Sequence, residues 1–265
     1  SRWMATMLEI LEAGGLVTVQ DLGRRGWQKF GVPVSGPMDW FAFRATNLLA
    51  GNPPDAAALE IGFGDLSLRA HRDCVVAVTG AGFLASTFAW TFPLWTSFVV
   101  RAGWTITITR NNPNHPSLRA FVAKQSPRDA EGLLRREERP PRNDELLAGN
   151  WAYLAVAGGI ESESLLGSRS TNLRAGLGKK LEVGDTLKFG KPSHSLDELA
   201  ARTFLPEKRP AYSSSPFIEV IEGPQMDWFT NVVRNGIPQP RSAGYHPASH
   251  TSNPKDGLES FLNSE

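Results

Sequence analysis

Val19-Gln20-Asp21-Leu22-Gly23-Arg24-Arg25-Gly26, resumed at Gly31-Val32-Pro33-Val34-Ser35-Gly36-Pro37-Met38-Asp39, is too polar for a core and too irregular for one helix or strand. Glycines admit backbone dihedrals barred to other residues and prolines fix theirs, so such a loop is rigid without an apolar interior. Two readings are open. A rigid loop carrying charges and hydroxyls is where binding sites usually sit; a tightly turned connector, whose Asp and Arg cap its own backbone, is the alternative. The flanking runs decide the fold. Leu8 to Leu11 and Leu16 to Val19 surround Gly14-Gly15, a hairpin signal. Beyond the loop, Phe41, Ala45, Leu48 and Leu49 recur near helical spacing, with Asp39 as N-cap and Gly51-Asn52-Pro53-Pro54 as the stop.

A second short helix is expected to begin at Asp55. Strands follow over 58–63, 66–69, 74–79, 97–100 and 105–109, punctuated by Asp65, Gly80-Ala81-Gly82 and Ala102-Gly103. Many short strands at close spacing predict a mainly β barrel or sandwich rather than alternating βαβ units. From Pro113 to Gly149 the character changes. Ser126-Pro127-Arg128-Asp129 reads as a capped start to a charged, solvated helix running to Arg139, so 113–149 is expected to be a surface insertion. Trp151 to Ala157 returns to strand, and Leu181 to Leu187 reads as a turn and strand. Residues 192–216, polar and proline-bearing, read as a linker. Phe217 to Ile221 begins another strand, and past Trp228 apolar residues become sparse.

The length of 265 residues and an apolar content of 41% fit one large or two modest domains with a real core. A net charge of +1 argues against a nucleic-acid binder, which concentrates Lys and Arg on one face. One cysteine, Cys74, permits no intrachain disulfide and suits a reducing compartment. No apolar run reaches the roughly 20 residues needed to span a bilayer, and Ser1 to Met7 lacks the apolar stretch of a signal peptide. A cytoplasmic protein, with no membrane or nucleic-acid partner, is expected.

Several motifs carry little. Gly176-Leu177-Gly178-Lys179-Lys180 lacks both the spacing of a phosphate-binding loop and the hydroxyl residue after its lysine. Gly80-Ala81-Gly82 lacks the third glycine and the helix of a dinucleotide site. His246 and His250 are four apart, but Pro247 and Ser249 disfavour the helix that would align them; these two and His71, His115 and His194 read as surface residues, with no metal expected. Ser35 does not sit in a nucleophile elbow. Cys74, starting an apolar strand, reads as an inert buried thiol. Two polar sets remain: Asp21, Arg24, Ser35 and Asp39, and Ser168, Arg169, Ser170 and Thr171. Arg beside hydroxyls and glycine amides suits a carboxylate or phosphate, because the guanidinium fork matches two anionic oxygens. Alternatively each Arg pairs with a nearby acid and ties down its own loop. Binding is favoured at Arg169, around which three hydroxyl residues crowd.

At these residues the chain resembles a known family. Gln20 to Arg24, Gly31 to Asp39, Asn47 to Pro53, Ala58-Leu59-Glu60-Ile61, Val78 to Ala81, Tyr153 to Gly159 and Leu166 to Thr171 follow in order the motifs of the KipA family. This family comprises the PxpC subunit of 5-oxoprolinase and the allophanate hydrolase subunit 2, or biotin-dependent carboxyltransferase, domain. The match spans roughly residues 8 to 228. The resemblance implies two cyclophilin-like β-barrels, a KipI (PxpB)-like partner subunit and a PxpA-like subunit. It also implies ATP, with magnesium expected, and opening of 5-oxoproline to L-glutamate. Biotin enters only under the alternative, carboxyl transfer to urea or a similar amide; a further alternative is a non-catalytic regulator that binds a KipI-like partner.

The expected catalytic contacts are Arg24, Asp39 and Arg169, with Asp21, Ser35, Asn47, Glu60, Ser170 and Thr171 binding substrate. The carboxyltransferase-type domain is expected over 8–191. Three departures from the family pattern stand out: the insertion at 113–149, an abbreviated glycine-rich stretch after Gly178, and the loss of the second-barrel pattern past Trp228. Residues 217–265 are therefore expected to begin a truncated second barrel with a divergent tail, leaving that barrel incomplete.

Overall fold

The computed structural model describes residues 8–87, 90–111 and 149–213. The chain divides into two units, 1–216 and 217–265, and every described residue belongs to the first. Residues 112–148, with His115 and the helix expected from Ser126, lie outside the described residues. So do 214–265, with His246, His250 and the truncated second barrel.

Alternating apolar and polar residues produce β1 Leu8–Ala13, β2 Leu16–Gln20, β3 Ala58–Gly62, β4 Leu66–Ala70, β5 Cys74–Gly80 and β6 Phe83–Thr87. They are followed by β7 Thr91–Phe92, β8 Thr96–Val100, β9 Thr105–Arg110, β10 Trp151–Val156, β11 Ile160–Glu161 and β12 Thr186–Phe189. The expected mainly β class is what forms. Among the described residues the strands make two antiparallel sheets rather than one closed ring: β11-β12-β1-β4-β9-β6-β7 and β2-β3-β10-β5-β8. One apolar core lies between them, where Val17, Leu59, Ile61, Val76 and Leu154 of the five-stranded sheet meet Leu8, Leu66, Leu68, Ile106 and Ile108.

The expected hairpin at Gly14-Gly15 does not form. β1 pairs with β4 and β12, while β2 pairs with β3, so the two glycines carry the chain from one sheet to the other. The β3–β4 connection makes the same crossing, and the two corners nest. Gly14 N–H donates to Asp65 O at 2.8 Å, and a Cβ on Gly15 would stand 2.2 Å from Gly62 O. Only bare backbone fits there.

The helix expected after Asp39 is α1, Trp40–Leu49; Asp39 caps it by accepting from Phe41 N–H and Ala42 N–H, each at 3.0 Å. Its Ala42, Phe43, Ala45 and Leu49 pack on the outer face of the five-stranded sheet, against Ala58, Ala77, Tyr153 and Ala155. That sheet is thus buried on both faces. The helix expected at Asp55 is replaced by turns, because Asn47 and Asn52 draw this segment's polar groups inward: Asn47 Nδ2 donates to Ala56 O and Asn52 Nδ2 to Val156 O.

The segment read as a linker is packed as far as it is described. Ser195 and Glu198 form a capping box that starts α2, Leu196–Leu199. Leu199 is buried beside Gly51, where a Cβ would stand 2.4 Å from its Cδ2.

Candidate functional site

Residues directly opposite on antiparallel strands share a face. The register places Thr18 opposite Glu60, Glu60 opposite Tyr153, and Tyr153 opposite Thr79. A polar row therefore crosses β2, β3, β10 and β5 on the face that carries α1. The loop 33–39 closes onto this row. Met38 N–H donates to Glu60 Oε2 at 2.7 Å, Tyr153 O–H donates to the same oxygen at 2.9 Å, and Asp39 N–H donates to Tyr153 Oη at 2.7 Å. Tyr212 O–H donates to Asp39 Oδ2. Burial pushes the Glu60 carboxyl above its ordinary range despite its two hydrogen bonds. Tyr153 and Tyr212 are also pushed up, chiefly by burial, and so remain neutral donors.

Beside the row, three loops meet at Asp21. Its Oδ1 accepts from Gly23 N–H at 2.9 Å, Ser168 O–H at 2.5 Å and Ser170 O–H at 2.6 Å, and its Oδ2 accepts from Arg169 N–H at 2.5 Å. Burial alone would raise this carboxyl; the four hydrogen bonds outweigh it and hold the group below its ordinary range. Arg24, only 2% exposed, donates from Nη1 to Ser35 Oγ at 2.8 Å, from Nη2 to Ser170 O, and from Nε to Leu165 O at 3.4 Å. Ser35, whose hydroxyl it holds, has φ +65°, a conformation that non-glycine residues adopt rarely and that clusters at functional sites. Gly23 is required where the loops touch, since its Cβ would stand 2.5 Å from Val34 O.

The expected residues are thus partly gathered. Asp21, Arg24, Ser35, Ser170 and Thr171 form one cluster, joined to the row because Gln20 Nε2 donates to both Thr171 O and Thr18 Oγ1. Asp39 and Glu60 meet through Tyr153. Arg24 and Arg169 differ in kind. Arg24 is a buried clasp, its three nitrogens committed to the loops. Arg169 contributes its main-chain N–H to Asp21 while its side chain is exposed, touching only Ser162 O through Nε at 3.1 Å. Among the described residues, its Nη atoms bond nothing and no carboxylate pairs with it. Asn47 stands apart, bracketing the far end of α1 through Ala56 O and Asn52.

Tyr153, Tyr212 and Gln20 went unmarked as site residues in the sequence. The opposition of Glu60 and Tyr153 is set by strand register, which no local motif encodes. Elsewhere, Cys74 is 1% exposed with its thiol pushed up to about 12 by burial and then by Asp73, which leaves it unreactive. Lys179 is tied to Asp185 at 2.6 Å. Its glycine-lysine segment makes no phosphate cradle.

Residues 30–131 and 142–237 match the model of the carboxyltransferase domain, subdomains A and B. The chain belongs to this carboxyltransferase family. It is 35% identical over 195 residues to the PxpC subunit of 5-oxoprolinase from Escherichia coli K12, covering 70% of this chain and 50% of that one. It is 29% identical over 208 residues to urea amidolyase of Lachancea kluyveri, covering 77% of this chain and 10% of the relative. The solved urea amidolyase of K. lactis superposes with a TM-score of 0.58 at 27% identity, covering 80% of this chain and 11% of that one. This carboxyltransferase-family chain therefore spans half the length of the E. coli relative and a small part of the amidolyases. Among the described residues, no helix is long and apolar enough to cross a membrane, and no three His, Cys, Asp or Glu side chains gather as a metal site.

Proposed function

We propose that this chain is the carboxyltransferase-type subunit of an ATP-dependent 5-oxoprolinase, acting with KipI (PxpB)-like and PxpA-like subunits to convert 5-oxo-L-proline to L-glutamate. The observation that carries the reading is Arg169. Its guanidinium is exposed and unpaired among the described residues, while its backbone is fixed by Asp21 in a loop rich in hydroxyls. Such a group suits the carboxylate of 5-oxoproline or a phosphoryl group. The similarity to the E. coli 5-oxoprolinase subunit supports the same substrate class.

The chemistry asks for such a residue. An unstrained lactam is a poor electrophile, and transfer of the ATP γ-phosphoryl group to its carbonyl oxygen turns that oxygen into a leaving group. Water then adds to the carbon, phosphate departs, and the C–N bond opens with the proton going to nitrogen, giving glutamate, ADP and phosphate. Fixed cations and N–H donors stabilise the charge that develops on oxygen. The described residues offer neither a glycine-rich phosphate cradle nor an acidic cluster for magnesium. We therefore assign nucleotide and metal binding to the assembled complex.

Co-expression of the three subunits tests the reading. ATP-coupled glutamate release is expected to need this chain and to lose about 10²-fold in kcat with Arg169→Ala. Undiminished turnover without the chain ends the proposal. The likeness to urea amidolyase favours a second reading: turnover only with a carboxybiotin donor would select carboxyl transfer. Tight partner binding without turnover, unchanged by Arg24→Ala and Arg169→Ala, would select a regulator.

A further inference from the structure

Gln20 ends β2 at 4% exposure, on the same face as Thr18 and opposite Ala58. Its Nε2 donates to Thr18 Oγ1 at 3.0 Å and to Thr171 O at 3.2 Å. Its Oε1 is buried and accepts from no described residue. Reversing the amide does not cure this. Thr171 O is a carbonyl that only accepts, so the nitrogen must face it and the oxygen must face away. A buried acceptor left without a donor costs about 1–3 kcal/mol. Buried acceptors are otherwise almost always satisfied.

A second acceptor lies on the same row. Glu60 stands opposite Thr18, and both of its hydrogen bonds fall on Oε2. Its Oε1 receives none from a described residue. Acceptors are thus in surplus along the row, whereas at the rim, two residues before Thr171, the Arg169 side chain has donors in surplus. A ligand that satisfies both must bring N–H hydrogens to the row and an anion to the rim.

We propose that Gln20 Oε1 is the acceptor for the N–H of an amide or lactam ligand, with Glu60 Oε1 as a second acceptor and Arg169 holding the ligand's carboxylate. The choice of an amide rests on the functional reading above; the surplus of acceptors does not. The arrangement fits a lactam acid, which carries one N–H and one carboxylate. Urea, with N–H groups but no carboxylate, leaves Arg169 unused. A water molecule suits the same acceptor in the free protein, and a ligand N–H that replaces it keeps the hydrogen bond.

Calorimetric titration of the full chain with 5-oxo-L-proline, its N-methyl analogue, 2-pyrrolidone and urea tests this without any partner subunit. The wild type is expected to prefer 5-oxo-L-proline over the N-methyl analogue by roughly tenfold or more, because an analogue lacking the hydrogen strands a buried acceptor. It should prefer 5-oxo-L-proline over 2-pyrrolidone and urea through Arg169. Gln20→Met should abolish the discrimination against N-methylation. Should that variant not fold, the Gln20 side-chain amide resonances of the wild type decide the matter: they should shift with 5-oxo-L-proline and stay in place with the N-methyl analogue. Equal binding of the two lactams, discrimination that survives Gln20→Met, unmoved Gln20 resonances, or no binding of any of the four compounds overturns the proposal. Discriminating binding by a chain whose assembled complex releases no glutamate would overturn the oxoprolinase reading alone.

Discussion

The two faces of the five-stranded sheet are built from alternate residues of the same strands, yet they solve different problems. Inward, Val17, Leu59, Ile61, Val76 and Leu154 are apolar and lie in one cluster. Outward, Thr18, Gln20, Glu60, Tyr153 and Thr79 are polar and almost as deeply buried. The inner face is held by area removed from water. On the outer face each buried polar atom needs a named partner. Tyr153 and Glu60 satisfy each other with help from the 33–39 loop, and Thr79 O–H donates to Ala42 O at 2.7 Å. Gln20 Oε1 is the exception. A face that stabilises by pairing shows its binding groups as failures of pairing; an apolar face has no such signature.

The largest effect is expected on the inner face. Leu154→Ala, at a fully buried position, should cost about 3–4 kcal/mol in urea unfolding and leave ligand preference among the surviving folded molecules unchanged. Altered preference would show that the two faces are not separable. Arg24→Met comes next. It strips the bonds to Ser35 Oγ, Ser170 O and Leu165 O and should cost about 2–3 kcal/mol, given the worth of charged hydrogen bonds. Arg24→Lys should recover little of this, because an ammonium lacks the planar fork that spans three acceptors.

The two buried carboxylates sharpen the comparison through pH. Asp21 is held below its ordinary range, so its contribution is present above the unfolded value of about 3.9 and is lost as pH falls through the lower folded value. Asp21→Asn should therefore destabilise by about 2 kcal/mol at neutral pH, and the gap should close in acid. Glu60 is held above its range. Its carboxyl favours the fold below the unfolded value of about 4.3, and that advantage disappears as pH rises through the higher folded value. Glu60→Gln, whose amide oxygen still accepts from Tyr153 and Met38, should thus gain stability relative to wild type as pH rises from 4 to 7. Parallel slopes for the two variants would contradict the assigned environments.

Much of this arrangement was legible in the sequence, for identifiable reasons. Asp39 and Gly51 mark the ends of α1 because capping and a left-handed exit (φ +76° at Gly51) are local requirements. The polar loops that meet at Asp21 were visible as residue types, since no core position tolerates them. What stayed hidden is non-local. Gly14-Gly15 has the composition of a hairpin, and only its nesting against Gly62 and Gly64 makes it a crossing between sheets. Glu60 and Tyr153 are 93 residues apart and meet through strand register. Ser195 to Glu198 carries a capping-box pattern that marks α2, but the surrounding polar, proline-bearing sequence masks it. Local chemistry is written in neighbours, whereas a site is written in register.

The smallest stability effect separates the two arginines that composition alone makes equivalent. Arg169→Ala removes an exposed side chain with one hydrogen bond, to Ser162 O, and leaves the main-chain N–H on Asp21 in place. Its cost in urea unfolding should stay below about 0.5 kcal/mol, as for most surface substitutions. Binding should respond in the opposite proportion. The affinity of the folded chain for 5-oxo-L-proline should fall while its weaker affinity for 2-pyrrolidone, which lacks the carboxylate, stays unchanged. A guanidinium that merely closed the loop would weaken both ligands equally and would destabilise the fold as Arg24→Met does. Stability lost at Arg24 and selectivity lost at Arg169 would assign the first to the clasp and the second to the ligand, two roles for one residue type set by which nitrogens the fold leaves free.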